Sequence, residues 1–274
     1  MAGYPIDSPF SEAAHFYQFR APYAPQTLAY VRDAFELGQT SRALDLGCGP
    51  GPIAIPLSQM VGHVLAIDPS KDMLNQGRIF SARANRHNIA WLCARAEEIT
   101  EALGIFDVVT MGQSFHWMDR DTVLRRLAPM IASHGGLALI SPGQRRPQES
   151  WETLASDVIA RYLGPRGRHR QMNPEPENEP SLLRSGTFSR FTVREFSMEF
   201  ERDVHSIIGN IYSMSTSPKS AFGDRAALFE RDLTESLLRS NPSGVFEEQL
   251  ETQDSALSAS EVGDRTRCSR IRDP

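Results

Sequence analysis

The chain has few cysteines, no excess of positive charge and no long apolar run, and each absence excludes a class of protein. Its three cysteines, an odd number, form no Cys-x-x-Cys pair, so a disulfide framework or a metal site is not expected. Acidic residues outnumber basic ones by 34 to 29 for a net charge of −5, which argues against a nucleic-acid partner. Because no apolar stretch approaches ~18 residues, no membrane span is expected either.

The first residues, "MAGYPIDSPFSE", lack the basic start and apolar run of a secretory signal. Together with the sparse cysteines, this favours a reducing, cytoplasmic location. The hydrophobic share of 40% and the charged share of 23% are typical of a globular chain with a sizeable core. The composition therefore predicts a folded cytoplasmic protein.

Short apolar runs alternate with helical patterns between residues 40 and 141. The runs are nearly continuous rather than alternating, which is typical of parallel strands buried on both faces. Strand–helix–strand repeats indicate right-handed crossover units. The predicted strands are 42–47, 63–68, 88–94, 106–112 and 135–141, and the predicted helices are 22–38, 69–85 and 119–133. The sequence thus predicts an α/β fold with a doubly wound, Rossmann-like, mostly parallel sheet and helices on both faces.

After the fifth predicted strand the pattern changes to a helical and loop insertion. Helices are predicted over 150–163, 203–214 and 223–239, a half-buried strand over 192–201, and a proline-rich loop over 164–180. We predict a single domain over 1–252, with a ligand-binding core at about 40–141 and lid or substrate elements from 1–39 and 145–240. Residues 253–274 are polar and lack aromatics, so a disordered tail is expected there.

The stretch "LDLGCGPG", residues 44–51, lies where the first strand of a crossover unit meets its ligand crevice. Glycines there allow a tight turn and close approach of a ligand to the backbone. Asp68 ends the second predicted strand, and a carboxylate at that place accepts hydrogen bonds from ribose hydroxyls. An adenosine-type ligand is therefore favoured, although Asp68 could instead cap the following helix.

The spacing of the glycines distinguishes between adenosine ligands. Gly47, Gly49 and Gly51 alternate, whereas dinucleotide loops follow G-x-G-x-x-G, and no Gly-Lys-Ser/Thr of a phosphate-binding loop follows. Asp45 lies inside the motif and would repel a pyrophosphate, but it suits an amino-bearing ligand. S-adenosylmethionine carries an ammonium, a sulfonium and no phosphate, so the charge pattern favours it over a nicotinamide dinucleotide.

Several motifs together resemble class I S-adenosylmethionine-dependent methyltransferases of the small-molecule type, as in ubiquinone biosynthesis and trans-aconitate methylation. They are "LDLGCGPG", "AIDPSKDML", "ARAEE", "FDVVTMGQSFHWMD", "RLAPMIASHGGLALI" and the lead-in "FYQFRAPYAP". The resemblance implies S-adenosylmethionine as cofactor and S-adenosylhomocysteine as product. It also implies a final antiparallel strand, for which the chain lacks an apolar run after Thr252. Pro56 should shorten the helix after the glycine loop.

The resemblance also implies which residues contact the cofactor. The glycines would approach its methionine and ribose parts, Asp45 its amino group, Asp68 its ribose hydroxyls and Arg20 its carboxylate. Arg95 stands where relatives often carry an acid for the adenine amino group, so backbone groups near Ala96, or the Glu97 side chain, would substitute. The full expected set is Arg20, Asp45, Gly47, Gly49, Gly51, Asp68, Pro69, Met73, Ala96, Glu97 and Gln113.

The acceptor pocket is expected at the end of the fourth predicted strand. Tyr17, Tyr23, His116 and Trp117 would line it. His116 is either a general base, for which its ordinary pKa of ~6.5 is suitable, or a packing residue.

The predicted function is transfer of a methyl group to a nitrogen or oxygen of a small-molecule acceptor, for example a secondary metabolite or an amino sugar. Catalysis would be mainly positional. The alternatives are a non-catalytic protein that binds the same cofactor on this fold, and an NAD-dependent oxidoreductase.

Overall fold

A computed structural model describes residues 10–142, 151–164, 188–259 and 269–271. The strands are β1 (Arg42–Leu46), β2 (His63–Asp68), β3 (Ile89–Cys93), β4 (Phe106–Met111), β5 (Ile131–Pro142), β6 (Phe188–Asp203), β7 (Val245–Ala259) and β8 (Ser269–Ile271). The helices are α1 (Phe10–Phe16), α2 (Pro25–Ala34), α3 (Ala54–Leu57), α4 (Lys71–Arg83), α5 (Arg120–Leu127), α6 (Trp151–Leu163), α7 (Val204–Tyr212), α8 (Lys219–Phe222) and α9 (Ala226–Ser240).

The strands form one sheet in the order β3-β2-β1-β4-β5-β7-β6-β8. The first five strands pair in parallel, and β7 runs antiparallel to β5. This confirms the predicted doubly wound α/β fold. Because the strand order reverses beside β1, the carboxyl ends of β1 and β4 border the crevice where such sheets bind their ligands.

Alternate residues of the central strands supply two separate hydrophobic cores. Ala43 and Val108 pack with α2 and α4 on one face of the sheet, while Leu44 and Val109 pack with α5 on the other. Strands buried on both faces need apolar residues at every position, which explains the continuous apolar runs of the sequence.

The region around the final strand differs from the expectation. Residues 253–259, assigned from sequence to a disordered tail, belong to β7, and Thr252–Ser258 pair with Gly136–Pro142. Strand pairing uses backbone N–H and C=O groups, so a polar segment can complete a sheet without an apolar run. The buried Thr252 adds a hydrogen bond, because its hydroxyl oxygen accepts from the amide of Ala24 at 3.4 Å.

Contacts divide the described residues into two compact units. One contains 10–22, 151–164 and 197–250, and the other contains 23–142, 188–196, 251–259 and 269–271. In the first unit α6, α7 and α9 share an apolar core, which confirms the three helices predicted after β5. The single domain predicted over 1–252 stays a prediction, and the proline-rich stretch 165–180 lies outside the described residues.

The helix after the glycine loop has only four residues, Ala54–Leu57, as Pro56 predicts. So short a helix has little dipole to offer a phosphate group. In the part of the chain that the structure describes, no helix is long and apolar enough to cross a bilayer.

Candidate cofactor site and active site

The glycine loop adopts a backbone that favours glycine at each of its alternate positions. Gly47, Gly49 and Gly51 have φ of 66°, 53° and 88°. A Cβ on Gly47 would lie 2.4 Å from Cβ of Ser114, and one on Gly51 would lie 2.7 Å from the Trp91 ring. Neighbouring side chains thus fill the space beside two of these glycines, and the loop backbone turns tightly between β1 and α3.

Asp68, at the end of β2, holds this loop. Its Oδ2 accepts a hydrogen bond from the Gly49 amide at 2.9 Å, and its Oδ1 accepts from the Ser70 amide at 2.8 Å. The side chain that caps α4 is Ser70, whose hydroxyl accepts from the Met73 amide. Burial raises the pKa of Asp68, and the two amide hydrogen bonds oppose the rise. Each carboxylate oxygen keeps a second lone pair for a ligand hydroxyl.

Asp45 is buried with one of its oxygens unsatisfied. Its Oδ1 accepts from the Thr110 hydroxyl at 2.9 Å, whereas no described residue makes a hydrogen bond to Oδ2. Burial raises the pKa of Asp45 to about 7, and the charge of Asp68 acts in the same direction. The Thr110 hydroxyl and the Ala54 amide oppose this rise. A buried acid of this kind is suited to a ligand that brings a cation.

The residues predicted around the adenine lie near the ends of β2 and β3. Pro69 is exposed, whereas Met73 and Ala96 are buried. Glu97 already has protein partners, because its Oε1 accepts from the Asp119 amide at 2.9 Å and its other oxygen lies 3.5 Å from Nε of Arg95. Because both Glu97 oxygens already have protein partners, backbone groups near Ala96 are the better candidates to bind the adenine amino group.

The segment after β4 carries the residues predicted for the acceptor side. Gln113 is exposed, His116 is partly exposed and Trp117 is half-buried, and the rings of His116 and Trp117 lie 5.3 Å apart. Partial burial, and then the charge of Arg120, lower the pKa of His116. The imidazole is therefore neutral at pH 7 and can accept a proton.

Two aromatic residues predicted for the pocket lie in different units. The Tyr23 hydroxyl lies 2.7 Å from the position of a Cβ on Gly112, next to the end of β4. Tyr17 belongs to the other unit, where the Arg20 guanidinium carbon lies 4.4 Å from its ring centroid. Arg20 also donates to the carbonyl of Ser213 at 2.7 Å and to its hydroxyl at 3.2 Å. A cofactor-binding role for Arg20 and a pocket role for both tyrosines stay predictions.

Comparison with known proteins finds methyltransferases among the proteins that are similar to this chain. Residues 43–135 match the family model described as "Methyltransferase domain". The ubiquinone biosynthesis O-methyltransferase of Rhizobium etli is 26% identical over 208 residues, which cover 68% of this chain and 83% of that protein. Its counterpart in Bradyrhizobium diazoefficiens is 28% identical over 156 residues, or 53% of this chain and 61% of that protein. Residues 43–135 are thus similar to a methyltransferase domain, and the relatives support a class I S-adenosylmethionine-dependent methyltransferase.

The fold of this methyltransferase is also seen in solved structures. The S-adenosylmethionine-dependent methyltransferase of Thiobacillus denitrificans, solved with S-adenosylhomocysteine, superimposes with a TM-score of 0.54 at 17% identity. The superposition covers 92% of this chain and 98% of the other. The predicted Rossmann-like fold is thereby confirmed.

The residues of this methyltransferase fit the family's cofactor. The unpaired Oδ2 of Asp45 matches an ammonium, the glycine loop turns tightly at positive φ, which glycine adopts without strain, and Asp68 retains lone pairs for hydroxyls. The four-residue α3 is a poor site for a pyrophosphate. These observations support S-adenosylmethionine over a dinucleotide.

Sequence reasoning missed two residues that shape the site of this methyltransferase. Thr110 lies opposite Asp45 in the β1–β4 register and bonds to it. Ser114 donates to the carbonyl of Leu46 at 2.8 Å and fills the space beside Gly47. A polar residue within the apolar run of β4 was a signal for Thr110, but its partner depends on strand order.

Proposed function

We propose that this methyltransferase transfers the methyl group of S-adenosylmethionine to a nitrogen or oxygen of a small-molecule acceptor, such as a secondary metabolite or an amino sugar, in the cytoplasm. The observation that carries the cofactor assignment is the buried Asp45 oxygen beside a glycine loop of positive φ. The ubiquinone biosynthesis O-methyltransferases among its relatives support a small acceptor, with oxygen as the first atom to test.

The cofactor supplies a methyl group activated by a positively charged sulfur. Asp45 orients the ammonium, directly or through a water molecule, and the Asp68 carboxylate accepts hydrogen bonds from the ribose hydroxyls. Backbone groups of the glycine loop contact the chain between them, with Pro69, Met73 and Ala96 beside the adenine and Gln113 near the methionine end. Most of the rate enhancement then comes from holding the acceptor in line with the methyl group.

His116 serves as the general base of the proposal. Its pKa lies below the ordinary value, so the ring is neutral near pH 7 and one ring nitrogen accepts the proton that the acceptor loses. The Trp117 ring lies beside it, with the two ring centroids 5.3 Å apart. An acceptor that is already ionised would need no such base.

Calorimetry and a transfer assay test this proposal. S-adenosylhomocysteine should bind the purified full chain and NAD should not. Incubation with methyl-labelled S-adenosylmethionine and a panel of phenols, carboxylic acids, amines and amino sugars should label at least one acceptor. Binding of NAD without binding of S-adenosylhomocysteine would reject the cofactor assignment. Binding of S-adenosylhomocysteine without methyl transfer to any acceptor would favour a non-catalytic protein.

Replacing Asp68 by alanine should weaken S-adenosylhomocysteine binding by about 1–3 kcal/mol, since hydrogen bonds to a charged group are lost. Isothermal titration calorimetry measures the change. Asp72→Ala is the matched control, because Asp72 is an exposed acid in the first turn of α4. Unchanged affinity in Asp68→Ala would rule out the ribose role.

Replacing His116 by alanine should lower kcat by about 10²–10⁴-fold, the usual contribution of a general base. The dissociation constant of S-adenosylhomocysteine should stay within about twofold of wild type, because the proposed role involves only the acceptor. In the wild type, the acid limb of kcat should lie below the ordinary histidine pKa of ~6.5, since the His116 pKa is lowered.

His87→Ala, at an exposed histidine beyond the end of α4, is the control for His116→Ala and should keep full activity. Full turnover in His116→Ala would show that the ring only packs against Trp117.

A further inference from the structure

Thr110 is a buried polar residue in the middle of a core strand. Its neighbours Val108, Val109 and Met111 are fully buried apolar residues, and Thr110 itself has no exposed surface. A hydroxyl in such a place is unfavourable unless it forms a hydrogen bond. Its partner is Oδ1 of Asp45, at 2.9 Å and directly opposite in the register of β1 and β4.

The hydrogen bond affects both the orientation and the charge of Asp45. It fixes one carboxylate oxygen, so that Oδ2 is the oxygen left for a ligand. Together with the Ala54 amide, it also favours the ionised form against burial and against the charge of Asp68, which acts on Asp45 from the end of β2. The other titratable group nearby is the buried Cys48 thiol, whose pKa is raised by burial and by both carboxylates.

We infer that Thr110 is a positioning residue whose hydroxyl holds the Asp45 carboxylate for the ammonium of S-adenosylmethionine. This inference rests on the proposed function. Thr110 does not touch the cofactor in this scheme, because it acts through Asp45. Binding of the ammonium then requires the ionised carboxylate, so the protonated fraction of Asp45 releases its proton when the cofactor binds.

The isosteric Thr110→Val variant tests the inference, with calorimetry of S-adenosylhomocysteine between pH 6 and 8.5 in two buffers of different ionisation enthalpy. With the Asp45 pKa at about 7, half of the wild-type sites are charged at pH 7. Loss of one charge-assisted hydrogen bond raises that pKa by roughly one unit. The dissociation constant of the variant should then be about fivefold higher than that of the wild type at pH 7. The ratio of these two dissociation constants should fall about fourfold between pH 7 and pH 8.5.

The number of protons released on binding provides a second measurement. At pH 7 it should increase from about one half in the wild type to nearly one in Thr110→Val, by the same linkage. Thr110→Ala, which also removes the hydroxyl, should change it in the same direction, and Thr110→Ser should restore wild-type values. A packing defect alone would change neither the proton count nor the pH dependence of the ratio.

Thr27→Val is the matched control, because Thr27 is equally buried in the same unit and its hydroxyl makes no hydrogen bond to any described residue. It should leave affinity and proton release unchanged. A ratio that is constant with pH, or a serine variant that fails to restore binding, would overturn the role of Thr110. Failure of the wild-type chain to bind S-adenosylhomocysteine would instead overturn the proposed function.

Discussion

Replacing Gly47 by alanine should abolish S-adenosylhomocysteine binding and lower the free energy of unfolding by about 2–5 kcal/mol. The residue has φ of 66°, which L side chains rarely adopt. The new Cβ would also lie 2.4 Å from Cβ of Ser114, whose hydroxyl is tied to the Leu46 carbonyl, so the side chain cannot move away easily. The loop backbone must shift, and it is this backbone that the cofactor contacts. Urea unfolding and calorimetry measure the two effects.

Two other glycines separate the causes of this loss. Gly223 has φ of 52° but open space around it, so Gly223→Ala should show the strain alone, about 1–2 kcal/mol. Gly38 has open space without a positive φ, so Gly38→Ala should be nearly neutral. If Gly47→Ala loses no more stability than Gly223→Ala and still binds S-adenosylhomocysteine, Ser114 does not constrain the loop.

Replacing Asp45 by asparagine should weaken S-adenosylhomocysteine binding by about 3–5 kcal/mol, or roughly 10²- to 10⁴-fold, because a buried ammonium loses its charged partner. The same variant should be more stable than the wild type when both are empty at pH 8. In the empty site the buried carboxylate has only the Thr110 hydroxyl as a side-chain partner among the described residues, and an amide has no charge to desolvate. The affinity measured by calorimetry should therefore fall, while the free energy of unfolding measured in urea should rise.

The pH dependence of stability follows from the raised pKa of Asp45. The folded chain keeps the proton up to about pH 7, whereas the unfolded chain loses it near ~3.9. The unfolding free energy of the empty wild type therefore falls between about pH 4 and 7, by up to ~4 kcal/mol, and is level above the folded pKa. Asp45→Asn should lack the Asp45 part of this fall when urea unfolding is compared at pH 5 and pH 8, and should keep only the part due to Asp68, whose pKa is also raised.

The exposed Asp121, in the first turn of α5, provides the control for this comparison. Asp121→Asn should keep the wild-type pH slope. An Asp45→Asn variant with the wild-type slope would show that Asp45 is already ionised in the empty chain.

The sheet and the cofactor class could be predicted because both depend on short-range sequence patterns. A strand buried on two faces needs a continuous apolar run, and β2 and β4 match their predicted ranges within one residue. Alternating glycines with an acid among them indicate a tight backbone turn and the charge of its ligand, and the structure places all three glycines at positive φ.

By itself, the sequence thus determined the parallel core, the position of the glycine loop and the resemblance to methyltransferases. Only the tertiary structure decided that the polar Thr252–Ala259 completes the sheet, that Thr110 bonds Asp45, and that Arg20 bonds Ser213. Local patterns report whether a residue is buried, since burial follows from hydrophobicity and period. Partners far apart in the chain depend on strand order and register, which the packing of the whole chain sets.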